Sequence, residues 1–167
     1  MRLLMFHVDS FTCTVTERGR SPVAETPTSP SCHIDEGLLV LASAESADEA
    51  DPEAVARQTA NEVHRLASQL KATEVLLLPF AHLFAEPCAP DAALAMIDSV
   101  ARELRRRGLH VERPPFGWFH SWDLRAKGHP LSRVARSVRA HEPGGSPPDP
   151  AAERNDAASA PSPGRLP

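Results

Sequence analysis

The sequence predicts a single α/β domain of about 140 residues, with a mixed β-sheet flanked by helices. Short apolar runs of strand length alternate with two longer segments whose apolar residues recur at helical spacing. Hydrophobic residues make up 41% of the 167 residues, which is enough to form a core. Residues 141–167 contain seven prolines and one large aliphatic residue, Leu166, so we predict that they form a disordered tail rich in Pro, Ala and Ser.

The N-terminal segment predicts a β-hairpin followed by a long loop. Residues 2–8 form an apolar run of strand length, Asp9-Ser10 indicates a turn, and residues 11–15 alternate as a second strand would. Pro, Ser and Thr are frequent in residues 18–33, which favours a loop within the domain.

The middle of the chain predicts two buried strands on either side of a helix. Residues 38–44 and 74–79 are short and almost entirely apolar, and the second is expected to be central and covered on both faces. Asp51 and Pro52 are typical of a helix start. The apolar stripe of this helix is Val55, Thr59, Val63, Leu66 and Leu70.

The next segment predicts a second helix and two further strands. Asp91 is expected to cap the helix, which ends in three arginines and Gly108. Strands follow at residues 109–112 and 118–124. A short final helix is predicted after His129-Pro130 from the spacing of its apolar residues, Leu131, Val134, Ala135 and Val138.

Composition excludes several classes of protein. No apolar run approaches the roughly 20 residues of a membrane-spanning helix, and the N-terminus does not resemble a secretory signal. The three cysteines, Cys13, Cys32 and Cys88, form no CxxC pair, which argues against a disulfide scaffold or a zinc knuckle and favours the cytoplasm. We therefore expect no bound metal and no membrane association.

Charge is unevenly distributed along the chain. Residues 101–140 carry ten basic and three acidic residues, a net charge of +7, whereas the whole chain has a net charge of −4. This basic segment could face phosphates, or it could simply form a solvated helix surface, and the sequence leaves both interpretations open.

The sequence contains no P-loop, dinucleotide, zinc-protease or nucleophile-elbow motif, so no cofactor is predicted.

Two segments stand out as candidates for a functional site. Residues 79–83, PFAHL, follow the most apolar strand, where ligand crevices form in α/β sheets. Residues 114–122, PPFGWFHSW, contain four of the eight aromatic residues, and core packing is the alternative explanation for this cluster.

These segments resemble the N-terminal editing domain of archaeal threonyl-tRNA synthetases. PFAHL, PPFGW and KGHPLSRVAR at residues 127–136 occur in the same order and with compatible spacing, and the resemblance extends over residues 1–142. It implies a fold like that of the D-aminoacyl-tRNA deacylases, and it assigns residues 1–140 to one editing domain.

The resemblance also implies site residues. It assigns catalysis to His82 and His120. It assigns binding of the aminoacyl-adenosine to Ala44, Pro79, Ala81, Phe116, Gly117, Phe119 and Arg133. Phe119, His120 and Arg133 occupy positions where the family has tyrosine, lysine and glutamate, so that a hydroxyl group is lost at Phe119 and the sign of the charge beside the site is reversed at Arg133.

The implied activity is hydrolysis of mischarged tRNA. We expect a free-standing cytoplasmic editing factor that removes serine from threonine tRNA, with the tRNA 3′ end and threonyl-tRNA synthetase as partners and a homodimer implied by the family likeness. The alternatives are a non-catalytic module that binds aminoacyl-tRNA or a synthetase, and a deacylase for another aminoacyl-tRNA, including one with a D-amino acid.

Overall fold

The computed structural model describes residues 1–81 and 86–140; the predicted tail lies outside them. The described residues form a mixed sheet and two long helices. The elements are β1 (Arg2–Arg18), β2 (Ser31–Ile34), β3 (Gly37–Ser43), α1 (Pro52–Leu70), β4 (Glu74–Pro79), α2 (Pro90–Arg106), β5 (His110–Glu112), β6 (Trp118–Ala126) and β7 (Arg133–Ser137). No helix in this part of the chain is both long and apolar enough to cross a membrane.

The sheet is organised around β1. Its first half lies between β3 and β7, with Met5 opposite Val40 and Val134. Its second half lies between β2 and β6, and all four partners run antiparallel to it. Strands β3, β4 and β5 are mutually parallel, which confirms the predicted mixed sheet.

Two apolar layers cover the sheet. On one face α1 and α2 pack over β3 and β4, with Val40 and Val75 in the shared core. On the other face Leu39 and Leu76 pack with residues from the second half of β1. The strand at residues 74–79 is therefore central and covered on both faces, as its composition predicts.

The helix boundaries follow the predicted signals with one exception. The carboxylate of Asp51 accepts a hydrogen bond of 3.0 Å from the backbone N–H of Ala54, as expected of an N-cap. Helix α2 instead begins at Pro90 after Ala89, and Asp91 lies within its first turn. The predicted cap was wrong because proline is itself favoured at the first helical position.

The predicted N-terminal hairpin is wrong. β1 is one strand of 17 residues, and the register with β6 shifts between Val8 and Ser10, so that Asp9 is the extra residue of a β-bulge. The ammonium group of Lys127 lies 2.7 Å from the Asp9 carboxylate. A charged partner far along the chain therefore stabilises a residue that locally indicates a turn.

Two further elements differ from the sequence predictions. The predicted final helix is strand β7, which pairs with the first half of β1 and buries Val134, and Val138 is buried directly after it. A spacing of four between apolar residues fits a helix turn and also the same face of a strand. The predicted loop at residues 18–33 contains the start of β2, where Cys32 pairs with Cys13.

A histidine pair lies beside the bulge. His7 Nδ1 and His129 Nε2 are 2.8 Å apart, and His7 is 7% exposed. Burial lowers the pKa of His7, as do the charge of Lys127 and the neighbouring His129, whereas Glu36 and Asp9 act in the opposite direction. The folded state therefore favours the neutral imidazole.

We predict that the free energy of unfolding decreases as the pH falls below about 6.5, the usual pKa of histidine. In that range the unfolded chain binds more protons than the folded chain. Denaturant titrations between pH 5 and 7.5 measure this slope. His7→Gln should flatten it, whereas His110→Gln, at an exposed position on β5, should leave it unchanged; equal slopes in all three proteins would contradict the prediction.

Candidate active site

A cavity of about 710 Å³ opens at the C-terminal ends of β3 and β4. Its walls come from these strand ends, residues 87–97, residues 115–122 and residues 19–21. The volume lies within the range of about 300–1,000 Å³ that holds small ligands and cofactors. The position also fits the rule that ligands bind at the carboxyl ends of parallel strands.

The floor of the cavity is formed by two strand ends that hydrogen bonds hold together. The N–H of Phe80 donates to the carbonyl oxygen of Ala42 at 2.9 Å. The N–H of Cys88 donates to Ala44 at 3.1 Å, which places the start of α2 beside β3. The small side chains of Ala42 and Ala44 leave space above the floor.

An ion pair fixes the opposite side, which we call the roof and define as residues 19–25 and 113–118. The guanidinium of Arg113 donates to both carboxylate oxygens of Glu25, at 2.6 and 2.7 Å, and lies 3.1 Å from Asp98 on α2. The N–H of Phe116 donates to Glu25 at 2.7 Å, and Trp118 Nε1 donates to its carbonyl at 2.8 Å. The hydrogen bonds from Arg113 hold the pKa of Glu25 below its usual value.

Gly117 is required at the centre of the roof. Its φ of +84° is disfavoured for other residues, and a Cβ there would lie 2.5 Å from the carbonyl oxygen of Val23. Its own carbonyl accepts a hydrogen bond of 2.8 Å from the N–H of Gly19. In the turn at Phe116 and Gly117, the N–H of Phe116 already donates to Glu25. Within the described residues, the N–H of Gly117 has no such partner and is available to a ligand.

His120 is the titratable imidazole of the described cavity wall. It lies on β6 opposite Val15. Its Nε2 is buried and has no hydrogen-bond partner among the described residues. Burial lowers the pKa of His120, so the ring is neutral at pH 7 and can accept or donate one hydrogen bond.

The nucleophilic side chains of the wall are poorly suited to covalent catalysis. Burial raises the pKa of the Cys88 thiol to about 11, so the thiolate that would act as nucleophile is scarce at neutral pH. Ser43 is 2% exposed, and the hydroxyl of Ser21 accepts a hydrogen bond from the N–H of Val23; within residues 1–81 and 86–140 no hydrogen bond joins either hydroxyl to a base. The same residues bring no three potential metal ligands together. The arrangement favours attack by water.

The structure brings most of the predicted site residues together. Those that line the cavity are Ala44, Pro79, Ala81, Phe116, Gly117, Phe119 and His120. Their roles stay predictions. His82 lies outside the described residues.

Arg133 is placed elsewhere. It lies on β7, opposite Phe6, and is not part of the cavity wall. The described wall of the cavity therefore does not carry the positive charge of this side chain. Its location follows from the strand that replaces the predicted final helix.

Sequence reasoning missed three features of the site. Arg20 and Cys88 line the cavity, and the ion pair between Glu25 and Arg113 supports its roof. Glu25 lies in a segment without periodicity, 88 residues from its partner. Neither residue carries a local pattern that indicates the contact.

Comparison with known proteins identifies the family. Residues 1–138 match the model of the archaea-specific editing domain of threonyl-tRNA synthetase. The chain belongs to this family. It is 36% identical over 139 residues to a threonine–tRNA ligase of Thermococcus onnurineus and 35% identical over 138 residues to that of Methanopyrus kandleri. Each match covers 83% of this chain and 22% of the ligase, so the editing-domain chain spans about a fifth of the length of these relatives.

Solved structures agree on the fold of this editing domain. A probable eukaryotic D-amino acid tRNA deacylase superimposes with a TM-score of 0.60 at 13% identity, covering 81% of this chain and 98% of the other. A c-Myc DNA unwinding element binding protein gives a TM-score of 0.56 at 14% identity, with coverage of 82% and 98%. The predicted deacylase-like fold is confirmed.

We predict that Glu25→Gln lowers the free energy of unfolding by about 2 kcal/mol, because Arg113 loses the carboxylate that binds it through two hydrogen bonds in a partly buried setting and keeps the contact with Asp98. Chemical denaturation measures the change. Glu17→Gln, at an exposed position on β1, is the matched control. A Glu25→Gln protein as stable as the control would contradict the structural role of this ion pair.

Proposed function

We propose that this chain hydrolyses the ester bond of seryl-tRNA(Thr), acting on tRNA as a separate editing factor. The observation that carries the proposal is a cavity of about 710 Å³ within a member of the editing-domain family, lined by seven of the nine residues that the resemblance assigns to the site. The described walls of this cavity come from residues 19–122 of this chain.

The need for such an activity follows from the chemistry of the two amino acids. Threonine differs from serine by one methyl group, and an additional methylene in a pocket discriminates by only about 1–3 kcal/mol. A site that accepts threonine therefore also charges some serine. A second, smaller site can exclude the threonine methyl by steric contact and hydrolyse the error.

The described groups suit attack by water on the ester. The neutral imidazole of His120 can orient a water molecule or a ribose hydroxyl through its buried Nε2. The N–H of Gly117 can donate to the developing oxyanion. Cys88, as a protonated thiol, contributes volume rather than a nucleophile.

The first expected outcome concerns substrate. Purified chain should accelerate loss of the ester from seryl-tRNA(Thr) and leave threonyl-tRNA(Thr) largely intact, because the methyl group is excluded. Acid-gel or filter assays with labelled amino acid measure both rates. If neither ester is hydrolysed faster than in buffer alone, the proposal is overturned. If another aminoacyl-tRNA, including a D-aminoacyl-tRNA, is hydrolysed faster than seryl-tRNA(Thr), the proposed substrate is wrong and that aminoacyl-tRNA takes its place.

The second expected outcome concerns His120. His120→Ala should lower kcat for seryl-tRNA(Thr) by about 100-fold, the usual contribution of a positioned acid–base group. The wild-type rate should rise with pH through the lowered pKa of His120, because the neutral ring is required. His82→Ala is expected to slow the reaction as well. His110→Ala, on β5, is the control; if it slows hydrolysis as much as His120→Ala, the assignment is wrong.

A binding module without catalysis is the second candidate function. Phe119 lacks the hydroxyl group of the family's tyrosine, and Arg133 lies outside the cavity. A non-hydrolysable seryl-adenosine analogue bound at micromolar concentration, without turnover of seryl-tRNA(Thr), would favour this candidate.

The proposal also names partners. The editing-domain family implies tRNA as substrate and association with threonyl-tRNA synthetase. We further propose that the chain acts in the cytoplasm as a proofreading factor and forms a homodimer. Sedimentation of the purified chain, alone and with the host synthetase, measures both associations.

A further inference from the structure

Arg20 is the single fully charged residue among the described residues of the cavity wall. The remaining lining residues are apolar or neutral, and no aspartate or glutamate is among them. His120 is neutral because burial lowers its pKa, and Cys88 is a protonated thiol because burial raises its pKa to about 11. The described wall therefore presents one positive charge and no negative charge to a ligand.

The guanidinium of Arg20 is exposed and unpaired within the part of the chain that the structure describes. Other arginines near the site bind carboxylates; Arg113 binds Glu25, and Arg139 binds Glu45. Among residues 1–81 and 86–140, no group therefore competes with a ligand for the donors of Arg20 at the mouth of the cavity.

The backbone fixes the position of Arg20. The N–H of Gly19 donates to the carbonyl oxygen of Gly117 at 2.8 Å, and a Cβ at residue 19 would lie 3.0 Å from the same oxygen. The hydroxyl of Ser21 accepts a hydrogen bond of 3.2 Å from Val23. Both neighbours of Arg20 are thus held, and the side chain begins at the edge of the roof.

We infer that Arg20 binds the phosphodiester on the 5′ side of the terminal adenosine of the substrate tRNA. This inference rests on the proposed function and extends it to the nucleotide chain. In an aminoacyl ester the carboxyl group of the amino acid is esterified and its amino group is cationic, so the adjacent phosphate is the anion that remains. A guanidinium binds phosphate oxygens in pairs, which lysine cannot reproduce.

A binding experiment tests the contact without hydrolysis. Adenosine 5′-monophosphate carries the phosphate at the equivalent position, and adenosine lacks it. Wild-type protein should bind the monophosphate about tenfold more tightly than adenosine, and Arg20→Ala should remove that difference. Equal affinity of wild-type protein for the two ligands overturns the inference, even if the chain hydrolyses seryl-tRNA. Loss of the preference in Arg20→Ala supports it, even if the chain proves inactive.

A kinetic experiment separates phosphate binding from a structural effect. Arg20→Ala should lower kcat/KM about tenfold for seryl-tRNA(Thr) and less than about twofold for 3′-seryl-adenosine, which has no phosphate. Arg20→Lys should recover part of the loss. Arg18→Ala, at an exposed arginine of β1 that does not line the cavity, is the matched control. An equal loss on both substrates, or competition by free serine rather than by the monophosphate, overturns the inference.

Discussion

The candidate site takes its shape from the ion pair between Glu25 and Arg113, which joins the two segments of the roof together with backbone hydrogen bonds from Gly19 to Gly117 and from Glu25 to Phe116. Glu25 belongs to a loop rich in proline and serine, and Arg113 follows β5 after α2. With both carboxylate oxygens bound to the guanidinium and a third hydrogen bond to Phe116, the carboxylate has little freedom left. Asp98 adds a contact of 3.1 Å to α2, so the roof is attached to the same helix that borders the floor.

The charges of the basic segment at residues 101–140 are largely used within the fold. Arg113 binds Glu25, Lys127 binds Asp9, and Arg139 binds Glu45, so that carboxylates of the acidic N-terminal part neutralise them. This finding favours a structural role for these cations over a continuous phosphate-binding face. The six residues of these ion pairs are absent from the described lining of the cavity. A described wall that is largely apolar and carries no carboxylate suits an aminoacyl-adenosine, because no negative charge competes for the cationic amino group of the amino acid.

The sequence predicted the parts of this fold that local chemistry decides. Apolar run length placed β4, and Asp51 marked the start of α1 as its hydrogen bond to Ala54 confirms. Prediction from the sequence failed where a contact with a residue far along the chain determines the local structure. Asp9 indicates a turn, yet β1 continues through it. Likewise, the apolar spacing of β7 fits two structures, and pairing with the first half of β1 selects the strand. The site was found through family motifs, whereas Glu25 carried no local signal, because its role arises only when the 113–118 segment folds against it.

The central claim is that the cavity between the ends of β3 and β4 and the roof holds the charged 3′ end of a tRNA. A crystal structure with a non-hydrolysable 3′-seryl-aminoadenosine tests it most directly. We expect the adenosine to lie between the strand ends at Pro79 and Ala81 and the turn at Phe116 and Gly117, with the seryl group within hydrogen-bond distance of His120. Density for the analogue at another surface, or a cavity that stays empty at saturating concentration, would contradict it.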